Sequence, residues 1–161
     1  MSYSNQNEES ETVISVHGNQ HWIRREQELA RWVHRFKLRK REKQTVLLGN
    51  ILVDAELLDA LTLLRQIRIE TEFSCAGVSV LDDPEDHSLY AYITFPASDR
   101  TEQFIEYAMK RMKHRLMVTF EQHRNRYDLS SFFIGHNRSF CLLMERCARA
   151  FMKWESEIGR L

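Results

Sequence analysis

Serine, cysteine and glycine fall together in the run Thr71-Glu72-Phe73-Ser74-Cys75-Ala76-Gly77, where residue types and spacing best suit chemistry. A small-residue turn at a strand end brings backbone amides, a hydroxyl and a thiol close to a ligand. Thr71, Ser74, Cys75 and Gly77 are therefore the candidate ligand-binding residues. A catalytic thiol needs a base or a cation beside it to become thiolate. His87 and His136 are candidate bases, although spacing alone does not join them to Cys75. The competing reading makes Cys75 a buried strand-end residue and gives Gly77 a positive φ.

The second candidate is the basic run Arg35, Lys37, Arg39, Lys40, Arg41 and Lys43, a contact surface for nucleic acid or an acidic partner. Several phosphate contacts are needed for such binding, and its salt dependence counts them. Part of the run also suits the negative end of a helix dipole. Arg111, Lys113, His114 and Arg115, with Arg124 and Arg126 nearby, form a second basic cluster. No helix-turn-helix, zinc finger or RNP signature accompanies either cluster. The acidic stretch Asp82-Asp83-Pro84-Glu85-Asp86-His87 lacks the spacing of a calcium loop and reads as a solvated connection. Seven histidines are scattered without metal-ligand spacing, and no phosphate-binding glycine loop or nucleophile elbow occurs, so neither metal nor cofactor is expected.

These groups need a scaffold. The apolar spacing of Trp22, Leu29, Val33 and Phe36 predicts a helix from His21 to about Lys43. A second helix spans Asp54 to about Gln66, with Asp54 as its N-cap and Leu57, Leu61 and Leu64 as its buried stripe. Ile69, Thr71, Phe73 and Cys75 alternate with polar residues as a half-buried strand, and Leu89 to Phe95 forms its antiparallel partner. Asp99 and Glu102 have capping-box spacing ahead of a helix lined by Phe104, Ala108, Met109 and Met112. Leu116, Val118 and Phe120 alternate as a strand, and Tyr127 to Ile134 supplies another. Asn137 can cap a last helix whose stripe Phe140, Met144, Cys147, Phe151, Trp154 and Ile158 steps by four and three. That stripe can cover a sheet face or pair with a second copy of the chain.

Clustered strands with short links predict an α+β fold, a roughly four-stranded antiparallel sheet with three or four helices mainly on one face. Residues 1–19 read as a mobile tail in which one short strand can dock, and residues 20–161 as a single domain. At 161 residues the chain can bury roughly two-thirds of its unfolded surface without disulfide or metal. Three cysteines at irregular spacing give no disulfide framework and fit a reduced, cytoplasmic protein. No apolar run approaches the ~18 residues of a membrane span. The N-terminus lacks the features of a secretion signal. Twenty-three basic and twenty-three acidic side chains balance to zero, which argues against a wholly basic surface but not against one basic patch.

Thr-x-x-Ser-Cys-x-Gly, after a leucine-rich helix and before a Tyr-Ile-Thr-Phe strand, resembles a pattern in small proteins of Gram-positive bacteria and their phages. It is also similar to the Thr-x-x-Ser-Cys-Ser-Gly core of the wybutosine-synthesis tRNA methyltransferase family, where the motif lies near S-adenosylmethionine and tRNA. The similarity covers about Leu57 to Phe95, and Val78 stands where those families place Arg or His. It implies that Thr71, Ser74, Cys75 and Gly77 border a site. Two functions follow as expectations. The first is a non-enzymatic binding module, a regulatory or accessory factor of a phage or mobile element acting on a protein or nucleic-acid partner. The second is a nucleotide- or RNA-directed ligand-binding protein or enzyme centred on Thr71–Gly77.

Overall fold

The computed structural model describes residues 11–34, 44–79 and 88–159. In chain order these form β1 (Glu11–Val13), α1 (Asn19–His34), β2 (Thr45–Leu48), β3 (Ile51–Asp54), α2 (Leu58–Gln66) and β4 (Ser74–Cys75). They continue with β5 (Tyr92–Pro96), α3 (Asp99–Met112), β6 (Leu116–Glu121), β7 (Arg126–Ser131) and α4 (Asn137–Ile158). The fold is α+β. One antiparallel sheet has the order β1-β6-β7-β5-β4, and β2 and β3 form a separate hairpin. The fifth strand comes from the N-terminal segment, where Thr12 pairs with Phe120 and Val13 with Thr119.

Alternation along the central strands builds the core. Register sets Val118 beside Leu129 and Leu129 beside Ile93, all fully buried. Phe104, Ile105 and Ala108 of α3, Leu61 and Leu64 of α2, and Phe140, Met144, Cys147 and Phe151 of α4 join these strand residues in one apolar cluster. Each wholly buried phenylalanine in it stabilises the fold by about 2–3 kcal/mol. Arg100 ties the helices together, donating to the Ile67 carbonyl at 2.9 and 2.7 Å and forming an ion pair with Glu155.

Several local expectations are corrected. The Gly49-Asn50 turn closes the β2–β3 hairpin, an element that periodicity alone did not assign. Asp54 has the extended backbone of a cap but makes no side-chain cap bond; its Oδ2 accepts instead from the Ala76 amide at 2.7 Å. Ser98, not Asp99, caps α3, its hydroxyl accepting from the Thr101 amide at 3.1 Å. The strand expected over Ile69–Cys75 shortens to Ser74–Cys75, and Phe73 is 58% exposed where alternation would bury it. Arg68 at φ 62° turns the chain just upstream, and Glu72 and Phe73 still bond the Thr94 backbone, at 2.9 and 2.8 Å. α1 is described as far as His34. The cations Arg35, Lys37, Arg39, Lys40, Arg41 and Lys43 lie outside the described residues, as does the acidic loop with His87.

Candidate functional site

The Ser74–Gly77 bend is built into the interior. Cys75, Ala76 and Val78 are at most 4% exposed, and Gly77 is buried as well, while Thr71 and Ser74 are half-buried. Gly77 has φ 77°, and a Cβ there would lie 2.5 Å from Asn137 Nδ2 and 2.6 Å from the Ala91 nitrogen. Only glycine fits that close approach. Asn137 is the reason for the crowding. Its Nδ2 donates to the carbonyls of Val78 at 2.7 Å and Leu89 at 2.8 Å. Its Oδ1 accepts from the Ala91 amide at 2.8 Å and the Ser131 hydroxyl at 2.5 Å. The side chain expected to cap α4 thus joins the bend, the approach to β5 and the end of β7.

The thiols belong to this interior too. Cys75 Sγ accepts from the amides of Gly77 at 3.5 Å and Ser88 at 3.4 Å. Burial, with the nearby carboxylates of Glu56 and Asp54, pushes the Cys141 thiol up to about 12. Burial pushes Cys147 up to about 11 despite the Arg111 guanidinium beside it. Thiols of that kind stay protonated at neutral pH.

The surface tells a different story at α1. This helix has no buried residue, and it docks through polar and aromatic contacts. The Arg25 guanidinium lies 4.0 Å from the Tyr90 ring centre and 5.1 Å from that of Phe132, and it donates to the Phe132 carbonyl. Trp22 and His17 pack on the same Phe132 ring, His17 in a stacked contact at 4.0 Å. Glu28 accepts from the amides of Ile134 at 2.6 Å and Gly135 at 3.0 Å, the turn that leads into α4. Charge-assisted bonds of this kind are about twice as strong as neutral ones.

Between α1 and this turn lies a groove of about 340 Å³, lined by Arg24, Glu28, Arg31, Phe133, Gly135 and His136 among others. Arg24 sits 5.2 Å from the Phe133 ring centre. The 3-10 turn after α3 brings Lys113, His114 and Arg115 to the same region. His21 stacks on His114 at 4.8 Å with the rings 9° from parallel. Burial lowers the pKa of His114, and the positive charges of His21, Arg115, Arg24 and Lys113 add to the effect. Burial and Arg115 likewise lower that of His136, against the opposing pull of Glu28. Among the described residues, Arg24, Arg31, Lys113 and Arg115 are exposed and form no ion pair. The Nδ1 atoms of His21 and His136 are buried without a hydrogen-bond partner.

The second basic cluster therefore divides. Lys113, His114 and Arg115 meet α1. Arg111 turns toward Tyr107 and Cys147, while Arg124 and Arg126 pair with Glu121, and Arg126 also with Glu72. Arg24, Glu28 and Arg31 went unnoticed in the sequence, yet they fall at i, i+4 and i+7, one face of a helix. Among the described residues no group of three or more His, Cys, Asp or Glu side chains can hold a metal ion, and no helix is long and apolar enough to cross a membrane. No protein-family model, curated protein or solved structure matches this chain.

Proposed function

We propose that this chain is a non-enzymatic binding module whose contact face is the arginine–histidine groove, and whose partner is the phosphate backbone of a nucleic acid. One observation carries the reading: Arg24, Arg31, Lys113 and Arg115, from two separate elements, gather around the groove and form no ion pair among the described residues, in a molecule of zero net charge. Cations left unneutralised and exposed on one face attract a polyanion. Two features favour phosphate over a side-chain carboxylate. Three of the four cations are arginines, whose planar forks grip phosphate oxygens in pairs. Among the described residues the one carboxylate lining the groove is Glu28, which is held by two backbone amides and forms no ion pair, so a single negative charge faces several positive ones. The buried, protonated state of Cys141 and Cys147 and the enclosure of Cys75 support a binding role over nucleophilic catalysis.

Fluorescence anisotropy with random-sequence DNA and RNA oligonucleotides over a salt series tests the reading. Three or four phosphate contacts give a slope of about −3 in log affinity against log salt. Arg24→Ala and Arg115→Ala should each weaken binding and reduce that slope by about one. Binding that is absent at low salt, slopes that the substitutions leave alone, or selective capture of polyglutamate over nucleic acid would each overturn it.

A further inference from the structure

The groove mixes permanent cations with imidazoles, and this mixture has a consequence for regulation. His21 of α1, His114 of the turn after α3 and His136 of the turn before α4 come from three elements that meet at one place. The charged and titratable groups facing them among the described residues are Arg24, Arg25, Glu28 and Arg31 of α1, Lys113 and Arg115 beside His114, and His17 of the segment before α1. All but Glu28 are cationic or become so on protonation, and Glu28, held by the Ile134 and Gly135 amides, opposes them at His136 without reversing the balance. His114 and His136 thus stand in a positive field that, with burial, resists protonation. A bound polyanion reverses that field.

We infer that anion binding at this groove is linked to proton uptake, so that His114 and His136 gain charge as the ligand docks and affinity rises as the medium becomes more acidic. The inference rests on the proposed reading of the groove as a phosphate-binding face. The physics is reciprocal. A phosphate that makes protonation easier is bound more tightly by the protonated form, by the same factor. His114 and His136, held low by burial and neighbouring cations, are neutral in the free protein at pH 7.5 and become chargeable when phosphate oxygens replace water beside Arg24 and Arg115. A rise of about one pKa unit on a single imidazole makes binding about tenfold tighter below its free-state pKa. The two imidazoles multiply the effect.

The experiment uses the full chain and a random-sequence oligonucleotide, with anisotropy measured from about pH 8 to about pH 5 at fixed ionic strength. The expected result is at least a tenfold gain in affinity across that range. Calorimetry at pH 7 in two buffers of different ionisation enthalpy should show net proton uptake. The double substitution of His114 and His136 by Gln should flatten the pH profile and abolish proton uptake. His123→Gln, in the β6–β7 turn away from the groove, should leave both unchanged. Binding that persists at every pH with a flat wild-type profile overturns the proton linkage and leaves the phosphate reading standing. A pH slope that survives in the double variant also overturns the linkage, because the protons then come from elsewhere. No binding at any pH overturns both readings.

Discussion

Replacing Asn137 by Ala should be among the most damaging single changes away from the apolar cluster. The side chain is 4% exposed and makes four hydrogen bonds, to Val78, Leu89, Ala91 and Ser131. A net hydrogen bond contributes about 1 kcal/mol, and leaving its partner buried and unpaired costs about 1–3 kcal/mol. Three of the four partners are backbone groups that cannot turn to water. The loss should therefore reach about 3–5 kcal/mol, or roughly 10 °C in Tm for a chain of this size. Urea unfolding followed by circular dichroism measures it, and amide exchange at Ala91 reports the same event locally. Asn137→Asp sharpens the test. Its carboxylate still accepts from Ala91 and Ser131 but faces the Val78 and Leu89 carbonyls with oxygen, which raises its folded-state pKa. Its stability is then retained at low pH and lost as pH rises through that pKa. A cost below about 1 kcal/mol for Ala, or an Asp variant insensitive to pH, would refute the assignment of Asn137 as the tie between bend, strand and helix.

Gly77→Ala should lose at least about 3 kcal/mol in the same urea assay, since strain at φ 77° adds to a 2.5 Å clash with Asn137; a near-neutral result would contradict the packing. Asp128 lies on β7 with Oδ1 buried and unpartnered, and burial, helped by Glu11 and Glu121, pushes its carboxyl up to about 6. A raised carboxyl stabilises the fold when protonated and ceases to do so as pH rises through 6, so Asp128→Asn should gain about 1–3 kcal/mol at pH 7.5. That gain should shrink as pH falls from 6 toward 4; one that does not change with pH would point to another cause. Lys113 holds φ 53° with ψ −127°, backbone that glycine adopts more readily, so Lys113→Gly should stabilise by about 1 kcal/mol while weakening nucleic-acid binding, two readouts that move in opposite directions. Glu28→Ala removes a negative charge from the groove, which by charge alone would tighten anion binding. Because Glu28 anchors α1 to the Ile134 and Gly135 amides, affinity should instead fall and amide exchange in α1 should rise; a tighter complex would show that the helix stays docked without it.

Much of the scaffold could be read directly from periodicity, because periodicity is local. The steps from Phe140 to Phe151 mark a face that the structure buries, and Leu116 and Val118 alternate into the core. The same stripe overshoots at its end: Trp154 and Ile158 are 41% and 47% exposed in the last turns of α4. The reading failed where tertiary contacts outweigh local preference. Asp54 and Asn137 are good caps by residue type, yet each spends its side chain on a distant backbone amide, at Ala76 and Ala91. Phe73 follows a strand pattern, but it sits where the ladder is only two residues long and faces Arg126 at 5.7 Å. The hairpin signal was present in Gly49-Asn50 between apolar runs, and only attention to turn chemistry would have found it.

The groove was hidden for a deeper reason. Charge counted along the chain balances, and the histidines show no spacing, because the relevant neighbours lie on α1 and on the turns before β6 and α4. Docking of α1 is what assembles them, and although the helix rests on the buried Phe132 and Phe133 rings, it contributes no buried residue of its own. Arg25 across two rings and Glu28 on two amides hold the helix, so the elements that position the site are polar and the energy that holds them is modest. The apolar cluster would persist with α1 detached, since it draws no residue from that helix. The contact face would not, because Arg24, Arg31 and His21 would leave with it. The apolar cluster and the proposed contact face thus reside in separable parts of one small molecule. Substitutions in α1 should therefore alter affinity far more than the midpoint of unfolding.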